Sequence, residues 1–278
     1  MICSLIATSG NAIVIVTFYK SNHLRSQSHL LLWCLAFADF ATGLIVQPFY
    51  GAYKMAHLVG HKSTSCVLRI ISETVAWFSA AMSCVLFAVI TGERYLALHY
   101  HLRYHEVVTT RKILIFIAYL VISTAILSLS RFAVDGVKPF LYINIFGLLS
   151  SIFTLFICYG KIYKQVRRHF RQIRAQSMVR AGGKSLDVQR FKESVINMAY
   201  VSVLYMVAYL PFTCVLFAYL SFGFTSNVEA AYDIARTIVF MPSWWNPFLY
   251  FWKMHELRQA VRNVMRRDST PLTEVVEL

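Results

Sequence analysis

Residues Leu31–Pro48 read LLWCLAFADFATGLIVQP, and the only Asp, Glu, Lys or Arg among them is Asp39. A bilayer-spanning helix needs roughly 20 mostly apolar residues, and this stretch with its neighbours supplies them. Working outward, similar stretches lie at about 1–20, 30–53, 66–91, 113–130, 139–160, 195–220 and 231–252. The fourth, fifth and sixth contain no Asp, Glu, Lys or Arg, and the seventh carries only Asp233 and Arg236, both near its start. Over the 278 residues, 58% are hydrophobic and 14% charged, and mean hydropathy is +0.55. Soluble domains carry about a quarter charged residues, so a water-soluble enzyme is excluded. No soluble domain, low-complexity tract or internal repeat interrupts the pattern. It predicts an all-α membrane protein, a seven-transmembrane helix bundle over residues 1–252.

The charge balance sharpens this picture. Lys and Arg number 27 against 13 Asp and Glu, a net +14, and strong basicity on its own suggests nucleic acid as a partner. However, the connections at 20–29, 92–112, 161–193 and 253–278, which alternate onto one side of the membrane, hold 21 of the 27 basic residues. Positive charge concentrates on the cytoplasmic side, which predicts an outside N-terminus and a cytoplasmic C-terminus. Nucleic acid is excluded as a partner, because the basic residues flank lipid spans and anionic headgroups are the simpler counterpart. Met1 begins inside apolar sequence, so the first span is expected to be truncated at its outer end.

Ionisable groups inside spans are costly and are functional candidates by default. Asp39 lies mid-span, either as a protonated packing acid or as a switchable acid in a polar cavity, with Ser83 and Asn246 as natural partners. Glu73 and Arg236 lie one or two turns inside the outer surface. They either pair to close the bundle or line an outward-open pocket, for which Tyr50, Tyr53, Trp77 and Phe240 would supply aromatic walls. Pro48, Pro211, Pro242 and Pro247 each remove a helical hydrogen bond, and the polar surroundings of Pro211 and Pro247 favour hinges there. Of six cysteines only Cys66 sits near the outer surface without lying deep in a span, so no extracellular disulfide is expected within the chain. All nine histidines lie in loops or at span ends, away from a buried metal site. A seven-span transporter or an intramembrane enzyme is the rival reading.

Short motifs now fall in order along the spans. They are Gly10-Asn11, Leu35-Ala36-Phe37-Ala38-Asp39, Glu93-Arg94-Tyr95, Tyr159, Tyr209-Leu210-Pro211-Phe212 and Asn246-Pro247-Phe248-Leu249-Tyr250. Over nearly its whole length the chain resembles the rhodopsin-like (class A) G-protein-coupled receptors. Its motifs look like that family's GN pair, LAxAD, E/DRY, inward-facing span-five tyrosine, CWxPF and NPxxY. The resemblance implies a receptor at the plasma membrane that binds an extracellular or membrane-derived ligand and activates heterotrimeric G proteins, with arrestin as a further partner and no enzymatic activity. It implies that Glu93 holds Arg94 at rest, that the sixth span swings outward on activation, and that Tyr159 and Tyr250 then receive Arg94. Asp39 with Ser83 would match the family's sodium site, and no other cofactor is expected. Residues 253–267 would form a short amphipathic helix on the membrane surface, with 268–278 as cytoplasmic tail.

Several positions depart from the family pattern. Tyr209 replaces the usual toggle tryptophan, Tyr119 the span-four tryptophan, Ser151 the span-five proline and His101 a proline of the second inner loop. Pro242 stands where the sodium network often has asparagine, and Phe191 occupies the usual acid position of span six, with Glu193 two residues on. Ala76 stands where amine receptors carry aspartate, and Phe240 where opsins carry the retinal lysine, which disfavours an amine and excludes a retinal Schiff base. The short second outer loop (about Arg131 to Lys138), the missing span-five proline and the stretch Ala97–Lys112 are similar to the melanocortin, cannabinoid, adenosine and lysophospholipid receptor group. Glu73 is the one match to the melanocortin acids, so that ligand is not transferred. The expected ligand contacts are Tyr50, Glu73, Ala76, Trp77, Arg236 and Phe240.

Overall fold

The computed structural model describes residues 2–21, 27–100, 104–133, 137–177, 185–223, 225–253 and 255–268. The described elements are helices. In chain order they are α1 (Ile2–Lys20), α2 (Gln27–Ala41), a π-helical turn (Thr42–Val46), α3 (Gln47–Leu58) and α4 (Lys62–Tyr100). There follow α5 (Tyr104–Val107), α6 (Thr110–Ala133), α7 (Val137–Ser177), α8 (Ser185–Phe222), α9 (Ser226–Val239), α10 (Met241–Lys253) and α11 (His255–Asp268). Six stretches are long and apolar enough to cross a membrane: Ile2–Lys20, His29–Leu58, Lys62–Tyr100, Thr110–Phe132, Val137–Gln165 and Val203–Phe222.

The seventh expected span is divided between α9 and α10. At the junction the Phe240 amide is shared between the carbonyls of Arg236 and Thr237, each at 3.2 Å. Pro242, just beyond, has no amide to continue the ladder and restricts the residue before it. Pro48 has a similar effect on the second span. It cannot donate to Leu44, and the helix widens immediately ahead of it, with the Gln47 amide reaching back to the Thr42 carbonyl. By contrast α8 and α10 run through Pro211 and Pro247 without interruption. The hinges expected at those two prolines are therefore not breaks in the helices; the breaks fall beside Pro48 and Pro242.

Side-chain distribution suits lipid rather than water. Helix α6 turns Leu114, Ile115, Phe116, Tyr119, Ile122, Ile126, Leu129 and Phe132 outward, while its buried side includes Thr124 and Ser128. Those hydroxyls donate to the carbonyls of Leu120 and Thr124 at 2.7 and 2.8 Å, satisfying polar groups that hydrocarbon could not. Helix α7, with 41 residues, is about 62 Å long at about 1.5 Å per residue, twice a hydrocarbon core of about 30 Å. Its basic end from Lys161 onward is thus a continuation of the fifth span.

The chain divides into two compact units, residues 1–73 with 243–278, and residues 74–242. In the first, α1 packs on α2, on the π-helical turn and on α11. Two glycines make the approach possible: a Cβ on Gly43 would lie 2.8 Å from Ala7 Cβ and the Thr8 amide, and one on Gly10 would lie 2.9 Å from the Pro247 ring. Helix α11 matches the expected amphipathic segment. Leu257 and Ala260 are fully buried, while Arg258, Gln259, Arg262 and Asn263 are exposed. In the second unit α8 packs against α7 and α9, and α6 against α7. The expectations placed on His101, the loop around 178–184, the side chains of Phe191 and Glu193, part of the second outer loop and the tail beyond residue 268 lie outside the described residues.

Candidate functional site

In the first unit a polar cluster forms around Asp39, which is 1% exposed. Its Oδ1 accepts from Ser243 Oγ at 2.8 Å and its Oδ2 from Asn246 Nδ2 at 2.7 Å. Ser243 and Asn246 are three residues apart on α10 and so share a face. The backbone explains how α1 joins them. Pro247 has no amide to donate to the carbonyl four residues back, Ser243, and that carbonyl accepts instead from Asn11 Nδ2 at 2.8 Å. Asn11 Nδ2 also donates to Ala7 O at 2.8 Å, and Gly10 supplies the clearance for Pro247. The GN pair and the NP pair are therefore two halves of one contact. Asn11 Oδ1 and the Tyr250 hydroxyl are buried without a hydrogen-bond partner among the described residues. Asn246 was expected as a partner of Asp39 and is one. Ser243 was not foreseen, and Ser83 is buried on α4 in the other unit.

Elsewhere in the same unit, Glu73 is bonded to Arg69, Nε to Oε1 at 2.9 Å, at the (i, i+4) spacing that favours such pairs. The Arg69 guanidinium lies 5.9 Å from the Tyr53 ring, and Lys54 Nζ lies 5.7 and 5.4 Å from the Tyr50 and Tyr53 rings, within cation–π range. Neither expected arrangement of Glu73 with Arg236 included Arg69. Arg236 itself, on α9, is buried, with its guanidinium 5.6 Å from the Tyr232 ring.

The second unit carries the motif residues of α4 and α8. Glu93 is buried and shared: Arg94 Nε lies 3.5 Å from its Oε2, and the Tyr104 hydroxyl on α5 donates to its Oε1. The Arg94 side chain is one-third exposed, at 33%. Lys161 Nζ stands 5.3 Å from the Tyr95 ring, and Gln165 Nε2 donates to Leu98 O at 3.1 Å, so the C-terminal part of α4 is joined to α7. Tyr159 is half-buried on α7.

Deeper in this unit, Tyr209 and Tyr205 are both buried. Their rings stack at 4.5 Å, and Phe87 lies 4.0 Å from Tyr205. Tyr205 Oη donates to Tyr209 Oη at 3.0 Å, which donates in turn to Ala80 O at 3.2 Å. Two residues beyond, Pro211 leaves the helix short of one amide donor. Toward the other end of the unit, Trp77 meets Phe140 at 5.1 Å and Phe212 at 5.6 Å, and Phe212 meets Tyr232 at 5.6 Å. Ala76 and Phe240 are buried. Of the expected ligand contacts, Tyr50 and Glu73 fall in the first unit, and Ala76, Trp77, Arg236 and Phe240 in the second.

These features, apolar membrane-length helices with a few deeply placed polar clusters, are those of a multi-pass membrane protein. Residues 10–141 and 133–250 match the family described as 7 transmembrane receptor (rhodopsin family), and the chain belongs to it. It is 22% identical to trace amine-associated receptor 365 of Petromyzon marinus, over 87% of this chain and 71% of that one. It is 23% identical to the histamine H2 receptor of Rattus norvegicus, over 94% and 76%. To G-protein coupled receptor 12 of Rattus norvegicus it is 27% identical, over 90% and 75%. All of these are receptors, not enzymes.

Proposed function

We propose that the protein is a plasma-membrane receptor, N-terminus outside, that transmits binding of an extracellular or membrane-derived ligand to heterotrimeric G proteins. The carrying observation is the Glu93 carboxylate shared by Arg94 and Tyr104 at the inner end of α4. Arg94 Nε lies 3.5 Å from Glu93 Oε2 and its side chain is one-third exposed, a contact that a moving helix could exchange for another. Release would accompany outward movement of the sixth span and open a surface for the G-protein α-subunit, with Tyr159 and Tyr250 as later partners of Arg94. This is a two-state equilibrium that a ligand biases by binding one state better. Arrestin and membrane lipids are further partners, the exposed arginines of α11 facing anionic headgroups.

The ligand contacts are placed at Tyr50, Glu73, Ala76, Trp77, Arg236 and Phe240. The amines named for two of the relatives are not carried over, because Ala76 provides no carboxylate for an ammonium. A sodium ion held at Asp39 belongs to the same reading. The Asp39 oxygens keep lone pairs beyond the two bonds they accept, Asn11 Oδ1 is a buried acceptor without a partner among the described residues, and oxygen donors suit hard cations. Such an ion would balance the Asp39 charge. The reading is tested by screening a ligand library on cells carrying G-protein dissociation sensors, with amines, lipids and peptides as arms. It predicts dissociation with at least one non-amine ligand; no dissociation of any G-protein class, with or without ligand, overturns it.

A further inference from the structure

The widened turn ahead of Pro48 leaves one carbonyl of the second span to be served from another helix. In an unbroken α-helix the Gly43 carbonyl accepts from the amide of Gln47. Here that amide goes to Thr42, and the next residue, Pro48, has none. Gly43 is buried, where hydrocarbon and packed side chains offer no water in place of a donor. The donor comes from α1: Ser4 Oγ donates to the Gly43 carbonyl at 2.8 Å, and Ser4 is itself buried. Ser4, Ala7 and Asn11 lie three and four residues apart on one face of α1. The missing side chain at Gly43 lets that face come within reach, since a Cβ there would lie 2.8 Å from the Thr8 amide.

The turn decides more than one bond. A π-helical turn takes up one residue more than an α-helical turn. Each residue after it therefore sits where its predecessor would sit in an unbroken helix, a rotation of about 100°. In the observed register Tyr53 is buried, with the Arg69 guanidinium 5.9 Å from its ring, while Ala52 is exposed. If the turn tightened, Ala52 would take the place of Tyr53. We propose that the Ser4 hydroxyl stands in for the missing amide at Gly43, keeps the turn wide and so fixes the register in which α3 presents Tyr50 and Tyr53. All of these residues lie in the first unit. Ser4 is then a positioning residue: it touches no ligand, but it sets which side chains of α3 a ligand meets. That consequence rests on the ligand contacts proposed above at Tyr50 and Glu73; the register itself does not.

The experiment reads the register with no ligand and no G protein. A nitroxide is attached at Ala52→Cys in the full chain in lipid vesicles, with Cys3, Cys66 and Cys214, the exposed cysteines among the described residues, replaced. A control nitroxide is attached at Phe37→Cys, an exposed position on α2 ahead of the turn. The label at residue 52 is mobile in the observed register and immobilised in the place of Tyr53. Without Ser4, the amide of Gln47 can serve Gly43 only in the tightened turn. Stranding a buried acceptor shifts an equilibrium by about 5-fold or more, so Ser4→Ala should raise the immobilised fraction at residue 52 by that factor and leave residue 37 unchanged.

Pro48→Ala supplies the second arm. It adds an amide that serves the backbone in either turn, so Gly43 is no longer stranded and Ser4→Ala should have no effect in that background. If Ser4→Ala alone does not fold, the same pairing is read as folded receptor recovered in Ser4→Ala/Pro48→Ala. An unchanged spectrum at residue 52, a change at residue 37 as large as at residue 52, an equal effect of Ser4→Ala in both backgrounds, or no recovery by Pro48→Ala overturns the proposal. None of these outcomes involves signalling. A protein that coupled to no G protein would leave the role of Ser4 standing, and a failed role for Ser4 would leave the receptor reading intact.

Discussion

The cluster around Asp39 and the cluster around Glu93 each place a buried carboxylate inside a membrane helix, yet they are built in opposite ways. Asp39 has each oxygen occupied by a donor from α10 at 2.7–2.8 Å, and α1 is joined to the same helix turn by Asn11. Glycines at 10 and 43 let the neighbouring groups come so close that a Cβ at either would clash at 2.8–2.9 Å. Glu93 instead has among its partners an adjacent, one-third-exposed arginine at 3.5 Å and a tyrosine from a four-residue helix. One carboxylate accepts short bonds on both oxygens from a neighbouring helix, and the other has a longer contact to a partly exposed arginine of its own helix. The difference assigns the first unit the part of a rigid support and the second the part of a switch.

The comparison can be broken most forcefully at the glycines. Gly43→Ala puts a Cβ 2.8 Å from the Thr8 amide and Ala7 Cβ, where backbone leaves no room to yield. A loss of about 1–3 kcal/mol is expected for such overpacking. It should appear as a lower inactivation temperature in detergent and reduced surface delivery; a wild-type temperature would remove the rigid-support account of α1. Asn11→Ala should be next in size. It strands the Ser243 carbonyl that Pro247 cannot serve, a penalty of about 1–3 kcal/mol for a buried acceptor. The expected signature is lost thermal stability with basal signalling little changed. A large gain in signalling instead would place Asn11 in the switch.

The smallest effect belongs to Tyr104→Phe. It leaves the ring in place but removes the donor to Glu93 Oε1, so the carboxylate is less firmly oriented toward Arg94. Basal nucleotide exchange should rise by about 2- to 5-fold, within the range of one lost hydrogen bond, with inactivation temperature near wild type. A fall in basal exchange would mean that Tyr104 competes with Arg94 for Glu93 rather than helping to hold it.

How much of this was legible in the sequence depended on whether a residue announces itself by type. An acid alone in an apolar span does, so Asp39 and its partner Asn246 were found. A serine in a polar-aromatic stretch does not, and Ser243 went unnoticed. The available signal was Pro247, whose missing amide points to the carbonyl four residues earlier. The Arg69–Glu73 pair was visible at (i, i+4) spacing but was overshadowed by a longer-range candidate in Arg236. Tyr104 follows a loop with no helical period linking it to Glu93, so only folding brings the two together. Tyr205 carried a signal at i−4 from an unusual Tyr209. Span positions were clear from apolar content, but α4 and α7 run past their apolar parts. Helical hydrogen bonding continues where the membrane ends, and composition marks only the latter. The break at Phe240 was foreshadowed by Pro242, although the polar surroundings of Pro211 and Pro247 drew the expectation of a hinge to those two instead.

The most direct test of the account is ligand-free and ligand-stimulated nucleotide exchange on heterotrimeric G proteins by the Arg94→Ala variant in lipid vesicles. Arg94 belongs to the exchangeable cluster and not to the rigid one, so its loss should spare folding and surface level while exchange falls to the level of receptor-free vesicles. Exchange equal to wild type at equal receptor density would contradict the account.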